Sequence, residues 1–145
     1  MACPYFLPTE RTDDSAWVYP SRLPLGGGWN GRCTAPGHEN EVPSTEQVRD
    51  CCNLGYATAC AFRPLQREYD SIRFAIVRET EECVLVCYAC EKDHLPASHG
   101  TLPYDKLTAQ WQRHPDPRIQ KMAECYLASY LLRKTTTVVQ PAASS

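Results

Sequence analysis

The sequence predicts a small single-domain α+β fold: an antiparallel β-hairpin or sheet packed by a C-terminal helix, with an irregular, cysteine-containing N-terminal arm. Three features predict it. Two runs of β-branched, aromatic and apolar residues, 72–78 and 84–90, flank the polar stretch Glu79-Thr80-Glu81-Glu82. A single apolar stripe of helical period follows Asp116-Pro117, and prolines and glycines crowd the first 43 residues. A chain of 145 residues is one domain's worth, placed at 1–134, with an uncharged Thr-, Ala- and Ser-rich tail at 135–145 expected to be disordered.

The arm comes first. Pro4, Pro8, Pro20, Pro24, Pro36 and Pro43, together with Gly26, Gly27, Gly28, Gly31 and Gly37, deny it long helices or central strands. Tyr5, Phe6, Leu7, Trp17, Val18, Tyr19 and Trp29 nevertheless demand burial, so the arm must be pinned rather than disordered. A short helix should then begin at Ser44. Gln47 three residues on completes a capping box, and Glu46 lies in the first turn, where the helix dipole favours negative charge. Val48, Cys51 and Cys52 fall on one face of that helix, and Leu54-Gly55 ends it.

The hairpin follows. Period-2 alternation puts Arg73 and Arg78 on opposite faces of its first strand, which predicts an edge position or a bulge there, while the second strand reads as buried on both sides. Residues 94–103 read as irregular, and 102–111 as a further strand or short helix. The last helix is the best marked. Asp116 caps it, Pro117 occupies its first position, and Ile119, Met122, Ala123, Tyr126, Leu127, Tyr130 and Leu131 form its apolar stripe up to Arg133 and Lys134.

Composition narrows the function classes. A net charge of −2 supplies no global field to attract nucleic acid or anionic lipid, and no apolar run approaches the roughly 20 residues that cross a bilayer. The N-terminal residues lack the pattern of a secretory signal, so a cytoplasmic location is expected. The nine cysteines are odd in number, and a reducing compartment points to thiolate ligation or plain burial rather than disulfides.

Four of these cysteines form the leading candidate site: Cys3, Cys33, Cys52 and Cys60, with Cys51 an alternative to Cys52. Four thiolates satisfy either a four-iron four-sulfur cluster or a tetrahedral zinc ion. Proline directly after Cys3, and glycines ahead of Cys33 that expose N–H groups to sulfur, favour the cluster. The absence of paired CxxC ligands counts against zinc, which stays as the alternative. A second set, Cys83, Cys87 and Cys90, has the CxxxCxxC spacing by which radical SAM enzymes hold a cluster with one open iron. In an extended strand, however, Cys83 and Cys87 face one side and Cys90 the other. Cys90 alone could join a site at the strand end. Cys125 reads as a packing residue, and Asp93, His94 and His99 as a weaker acid-base or metal group. No P-loop or dinucleotide fingerprint surrounds the glycines at 26–28.

The motifs Cys3-Pro4-Tyr5-Phe6, Pro24-Leu25-Gly26, Cys33 and Cys52-Asn53-Leu54-Gly55-Tyr56-Ala57 with Cys60 resemble those of a group of small bacterial proteins of unknown function. The likeness implies only that Cys3, Cys33, Cys52 and Cys60 act as a set. The expectation is a non-enzymatic iron-sulfur protein, transferring electrons to a redox partner or sensing oxidation. The alternatives are a structural zinc module displaying Trp17, Trp29 or Trp111 to a partner, and a small enzyme built on Cys83, Cys87 and Cys90 or on the Asp93 group.

Overall fold

The computed structural model describes residues 3–12, 23–35, 37–39, 41–44, 47–48, 52–53, 69–93 and 95–144, the last ten of these as backbone alone. The hairpin forms β3 (Ser71–Glu79) and β4 (Cys83–Lys92), antiparallel, with Ile72 opposite Cys90 and Phe74 opposite Tyr88. Thr80 shapes its turn, accepting the N–H groups of Glu82 and Cys83 on its hydroxyl at 3.2 and 3.0 Å. β3 is an edge strand and also carries a bulge, between Ile76 and Arg78. Plain alternation from Ile72, Phe74 and Ile76 would turn Arg78 toward the helix. The extra residue at Val77 puts Arg78 in solvent and turns Glu79 inward instead.

β4 lies between β3 and β5 (Leu95–Asp105), and β6 (Gln110–Trp111) completes a four-stranded antiparallel sheet in the order β3-β4-β5-β6. Two expectations are corrected. The outward row of β4, from Cys83 through Leu85 and Cys87 to Ala89, is half-buried rather than buried, because the helix covers the other face only. The stretch expected to be irregular is mostly strand β5. Its proline, glycine and serine content imitates a loop, but β4 offers a long row of donors and acceptors, and a bulge between Cys90 and Glu91 takes up the mismatch near Pro96. The 102–111 segment is the end of β5, a turn in which Asp105 accepts the Leu107 N–H at 2.8 Å, and β6.

The helix α1 spans Pro117–Ser144. Asp116 caps it, its carboxylate accepting the Arg118 N–H at 2.9 Å. Val84, Val86 and Leu127 join sheet and helix in one cluster, with Phe74, Tyr126 and Tyr130 against it. α1 continues past Arg133 and Lys134, where the sequence placed its end: once a helix is nucleated each further residue adds a hydrogen bond at little cost, so weak formers extend it.

The arm is likewise more regular than expected. β1 (Phe6–Arg11) and β2 (Trp29–Cys33) form a two-stranded antiparallel ribbon, Phe6 opposite Cys33, with a bulge between Pro8 and Glu10. Gly31 permits it: a Cβ there would lie 2.1 Å from the Leu7 carbonyl oxygen. The ribbon packs on α1, where Arg11 donates to the buried Ser129 hydroxyl at 2.9 Å. Ser44 and Gln47 close the capping box, at 3.0 Å for the Ser44 N–H to the Gln47 side chain and 3.1 Å for the reverse bond. The result is a small α+β domain, two antiparallel sheets packed against one C-terminal helix. Among the described residues no helix is long and apolar enough to cross a membrane.

Candidate metal centre

Three cysteines far apart in the chain are linked through the backbone at one corner of this fold. The Cys3 N–H donates to the Cys52 carbonyl at 3.3 Å, and the Phe6 N–H returns to the Cys3 carbonyl at 3.1 Å. Phe6 is in turn the ladder partner of Cys33. All three cysteines are buried. Two elements make the corner. β2 alternates strictly, so that Trp29, Gly31 and Cys33 face inward while Asn30 and Arg32 face solvent. The segment entering Cys52 starts from the Ser44 cap, and the Val48 N–H bonds the Ser44 carbonyl at 2.9 Å in helical fashion. It leaves by a wider turn, the Asn53 N–H reaching the Val48 carbonyl at 3.1 Å.

Asn53 locks that segment to the ribbon. Its side-chain amide accepts the Trp29 N–H at 3.0 Å and donates to the Trp29 carbonyl at 2.9 Å, so it takes the place of a third strand beside β2. A further bond to the Val48 carbonyl, at 2.8 Å, satisfies its second amide hydrogen. A primary amide carries an acceptor and two donor hydrogens on one planar group, so it can accept from and donate to one backbone residue and still donate to another. The residue following Cys52 is thus what fixes Cys52 relative to Cys33.

Two donors at the corner are addressed to sulfur or left without an acceptor. The Ala35 N–H donates to Cys33 Sγ at 3.4 Å, a bond that favours thiolate over thiol. It comes from the residue two places after the cysteine, not from the glycines before it. The second donor is the Trp29 indole. Trp29 is 8 % exposed and packs in one core with Cys3 and Cys52, yet among the described residues its Nε1–H has no hydrogen-bond partner. An unsatisfied buried donor costs about 1–3 kcal/mol.

The other cysteines separate by strand face. Cys90, 1 % exposed, shares the buried core of Cys3, Cys52 and Cys125. Cys83 and Cys87 lie on the opposite side of β4, so the CxxxCxxC set does not aim at one point. Burial among apolar side chains pushes the Cys125 thiol up to about 12, which keeps it protonated and makes it a packing group. Asp93 sits in the β4–β5 turn, its N–H bound to Asp70 at 2.7 Å, and exposed His99 lies farther along β5, opposite Ala89. Cys51, Cys60, Glu46, Leu54, Gly55, His94 and Trp17 lie outside the described residues. Among the described residues no three Cys, His, Asp or Glu side chains form a group that could hold a metal ion. Trp29 is buried, whereas Trp111 is half-buried, its ring centroid 5.1 Å from that of Tyr104.

Beside this corner a surface cavity of about 690 Å³ is lined by Tyr69, Tyr88, Cys90, Ser98, His114 and Ile119 among others. Tyr88 meets the edge of His114 at 4.9 Å, and burial pushes its hydroxyl pKa up. His114 Nδ1 accepts the Asp116 N–H at 2.8 Å, which leaves Nε2 to carry the proton of the neutral ring. Comparison of the chain with protein-family models, curated proteins and solved structures finds no match, so the meaning of this corner rests on its own chemistry.

Proposed function

We propose that the protein is a small iron-sulfur protein in which Cys3, Cys33, Cys52 and Cys60 hold a four-iron four-sulfur cluster, used in electron transfer to a redox partner or in sensing oxidation, and not in catalysis. The observation that supports this reading is that Cys3, Cys33 and Cys52, from three separate segments, are all buried and are linked through backbone hydrogen bonds and strand pairing. Cysteine in three separate segments supplies the thiolates that an inorganic ligand takes.

Sulfur-ligated clusters are sheltered from water and receive N–H donors on their sulfurs, and the corner offers a backbone donor on Cys33 and an indole donor without an acceptor. When bound, the cluster would supply a one-electron couple. The chain's part is to exclude water, fix the ligands through the Asn53 clamp, and staple the ribbon to the segment from Ser44 to Asn53.

The test is anaerobic purification, or reconstitution with ferrous iron and sulfide, followed by metal and sulfide analysis. A brown protein absorbing near roughly 400 nm, bleached by dithionite and carrying about four irons and four sulfides, is expected. Cys52→Ser should lose that absorption, while Cys83→Ser should keep it. A colourless protein with one zinc ion would transfer the ligands to a structural zinc site. A protein that binds neither metal overturns the proposal.

A further inference from the structure

We propose that the cavity between the start of α1 and the inward face of β4 and β5 is a binding site for a small uncharged ring compound bearing a carbonyl oxygen, with Tyr88, Ser98 and His114 as its hydrogen-bond donors. The site uses none of Cys3, Cys33 and Cys52, so it stands apart from the metal reading. The hollow follows from residue size. Along the inward face the cross-strand pairs run Val86 with Leu102, Tyr88 with Gly100 and Cys90 with Ser98. Val86 and Leu102 are large enough to fill their place and are buried. At the next two pairs the β5 partners are glycine and serine, which leave room above the strand. Tyr88 leans over the first of them: a Cβ on Gly100 would meet its hydroxyl at 2.7 Å and its ring at 2.9 Å. With Tyr69, Pro115, Pro117 and Ile119 these residues line about 690 Å³, inside the roughly 300–1,000 Å³ range of small-molecule sites.

The polar groups of the lining define the ligand. His114 Nδ1 is occupied by the Asp116 N–H at 2.8 Å, so the neutral ring has Nε2–H to donate. The hydroxyls of Tyr88 and Ser98 bond no other protein group among the described residues, and burial raises the Tyr88 pKa, which keeps the phenol a donor. Tyr88 is also set against His114, ring centroids 4.9 Å apart and planes nearly perpendicular, which brings two of the three donors together. The charges at the rim cancel: the Arg118 guanidinium donates to the two Asp116 carboxylate oxygens at 3.2 and 3.1 Å. An anion would meet that carboxylate and a cation that guanidinium, so an uncharged ligand suits the site. Its acceptor oxygen answers the donors, and its ring answers the tyrosines and prolines of the walls.

The experiment titrates the isotope-labelled full chain with benzamide, benzene and benzoate in turn and follows the backbone amide resonances. Benzamide should move the amides of Tyr88, Ser98, Gly100 and His114 together and saturably, with a Kd of about 1 mM for a fragment of its size. Benzene, which lacks the acceptor, should bind about tenfold more weakly, and benzoate more weakly than benzamide. Tyr88→Phe should weaken benzamide about fivefold and leave benzene unchanged, whereas a merely structural role for Tyr88 would weaken both alike. Shifts in wild type that do not saturate or that lie away from these residues overturn the proposal, as does benzoate binding as tightly as benzamide or an equal loss for both rings in Tyr88→Phe. If Tyr88→Phe does not fold, Ser98→Ala decides: a loss confined to benzamide supports the site, and an unchanged benzamide affinity overturns it.

Discussion

In the four-stranded sheet each strand finds its partner through rows of apolar side chains two residues apart, whereas the ribbon β1–β2 is held by single groups reaching in from other segments. Ile72, Phe74 and Ile76 face Val84, Val86 and α1 across a continuous cluster, so no one residue there decides the pairing. The ribbon buries a short row, Phe6 and Pro8 from β1 and Trp29 and Cys33 from β2. Its position depends on one amide, one glycine and the corner of cysteines. A sheet built from many small contacts tolerates loss at any one of them, while a ribbon built on few contacts concentrates its vulnerability.

Asn53→Ala should break the ribbon with the largest effect. It strands the Trp29 N–H and the Trp29 carbonyl in the interior at once, and the Val48 carbonyl keeps only its bond from the backbone N–H of residue 53. At about 1–3 kcal/mol for each unsatisfied buried group, partly relieved by entering water, a loss of about 4 kcal/mol is expected in urea denaturation. Limited proteolysis should cut within β1 and β2 first and leave the β3–β4 hairpin intact. A loss below about 1 kcal/mol would show that the clamp does not hold the ribbon.

A pair of glycine substitutions sharpens the contrast. Gly31→Ala drives a Cβ to 2.1 Å from the Leu7 carbonyl oxygen, a backbone atom that can yield only if the two strands part. Gly100→Ala in β5 meets the Tyr88 ring instead, at 2.7 to 2.9 Å, and a side chain can swing aside. The expected losses are about 3 kcal/mol and about 1 kcal/mol, read as shifts in the urea midpoint. Equal losses would mean that the ribbon adapts as readily as the sheet.

The same contrast governs what could be read from the sequence. The hairpin and α1 were legible because their apolar periods, the Asp116-Pro117 start and the polar turn at 79–82 all point one way. The ribbon was not, because Pro8 and Gly31 read as breakers in isolation. Only the pairing shows Gly31 to be the residue that lets β1 approach. β5 was missed for the same reason: its prolines and glycine hide a strand that long-range pairing with β4 supplies. At the candidate site, the sequence named Cys3, Cys33 and Cys52, all three of which are buried. It could not show the Asn53 clamp, the Ala35 donor, the buried Trp29 N–H or the place of Cys90 in the same core, because each depends on neighbours distant in the chain.

On the sheet side, the bulge at Val77 creates a charged staple whose loss should be smaller. Glu79 accepts from Lys106 at 2.7 Å, Lys134 at 2.5 Å and the Tyr130 hydroxyl at 2.6 Å, tying β3 to the β5–β6 turn and to α1. Lys106 first, then Lys134 and Tyr130, hold its carboxyl down from the ordinary 4.5 to about 2. Because the folded form binds its proton less readily than the unfolded form, the stabilisation is complete above about pH 4.5 and is lost as the pH falls toward 2. Both lysines are partly exposed, so the contribution is about 1.5 kcal/mol. Glu79→Gln should lower neutral-pH stability by that amount and flatten the acid limb of the stability profile between these values. An unchanged acid limb would assign the pH dependence to other carboxylates.

The smallest expected effect returns to the ribbon side. Ser44→Ala removes the acceptor for the Gln47 N–H and opens the capping box, at a cost of about 1 kcal/mol for an exposed cap. In a sheet-like region that loss would spread through the whole cooperative unit. Here the segment from Ser44 leads to Val48, Cys52 and Asn53, so hydrogen exchange should quicken at the Trp29 and Cys3 amides, which bond to Asn53 and Cys52, before it changes at the β3–β4 ladder. Equal acceleration at Trp29 and at Val86 would mean that ribbon and sheet open as one body, and that the difference drawn between them is one of sequence legibility and not of stability.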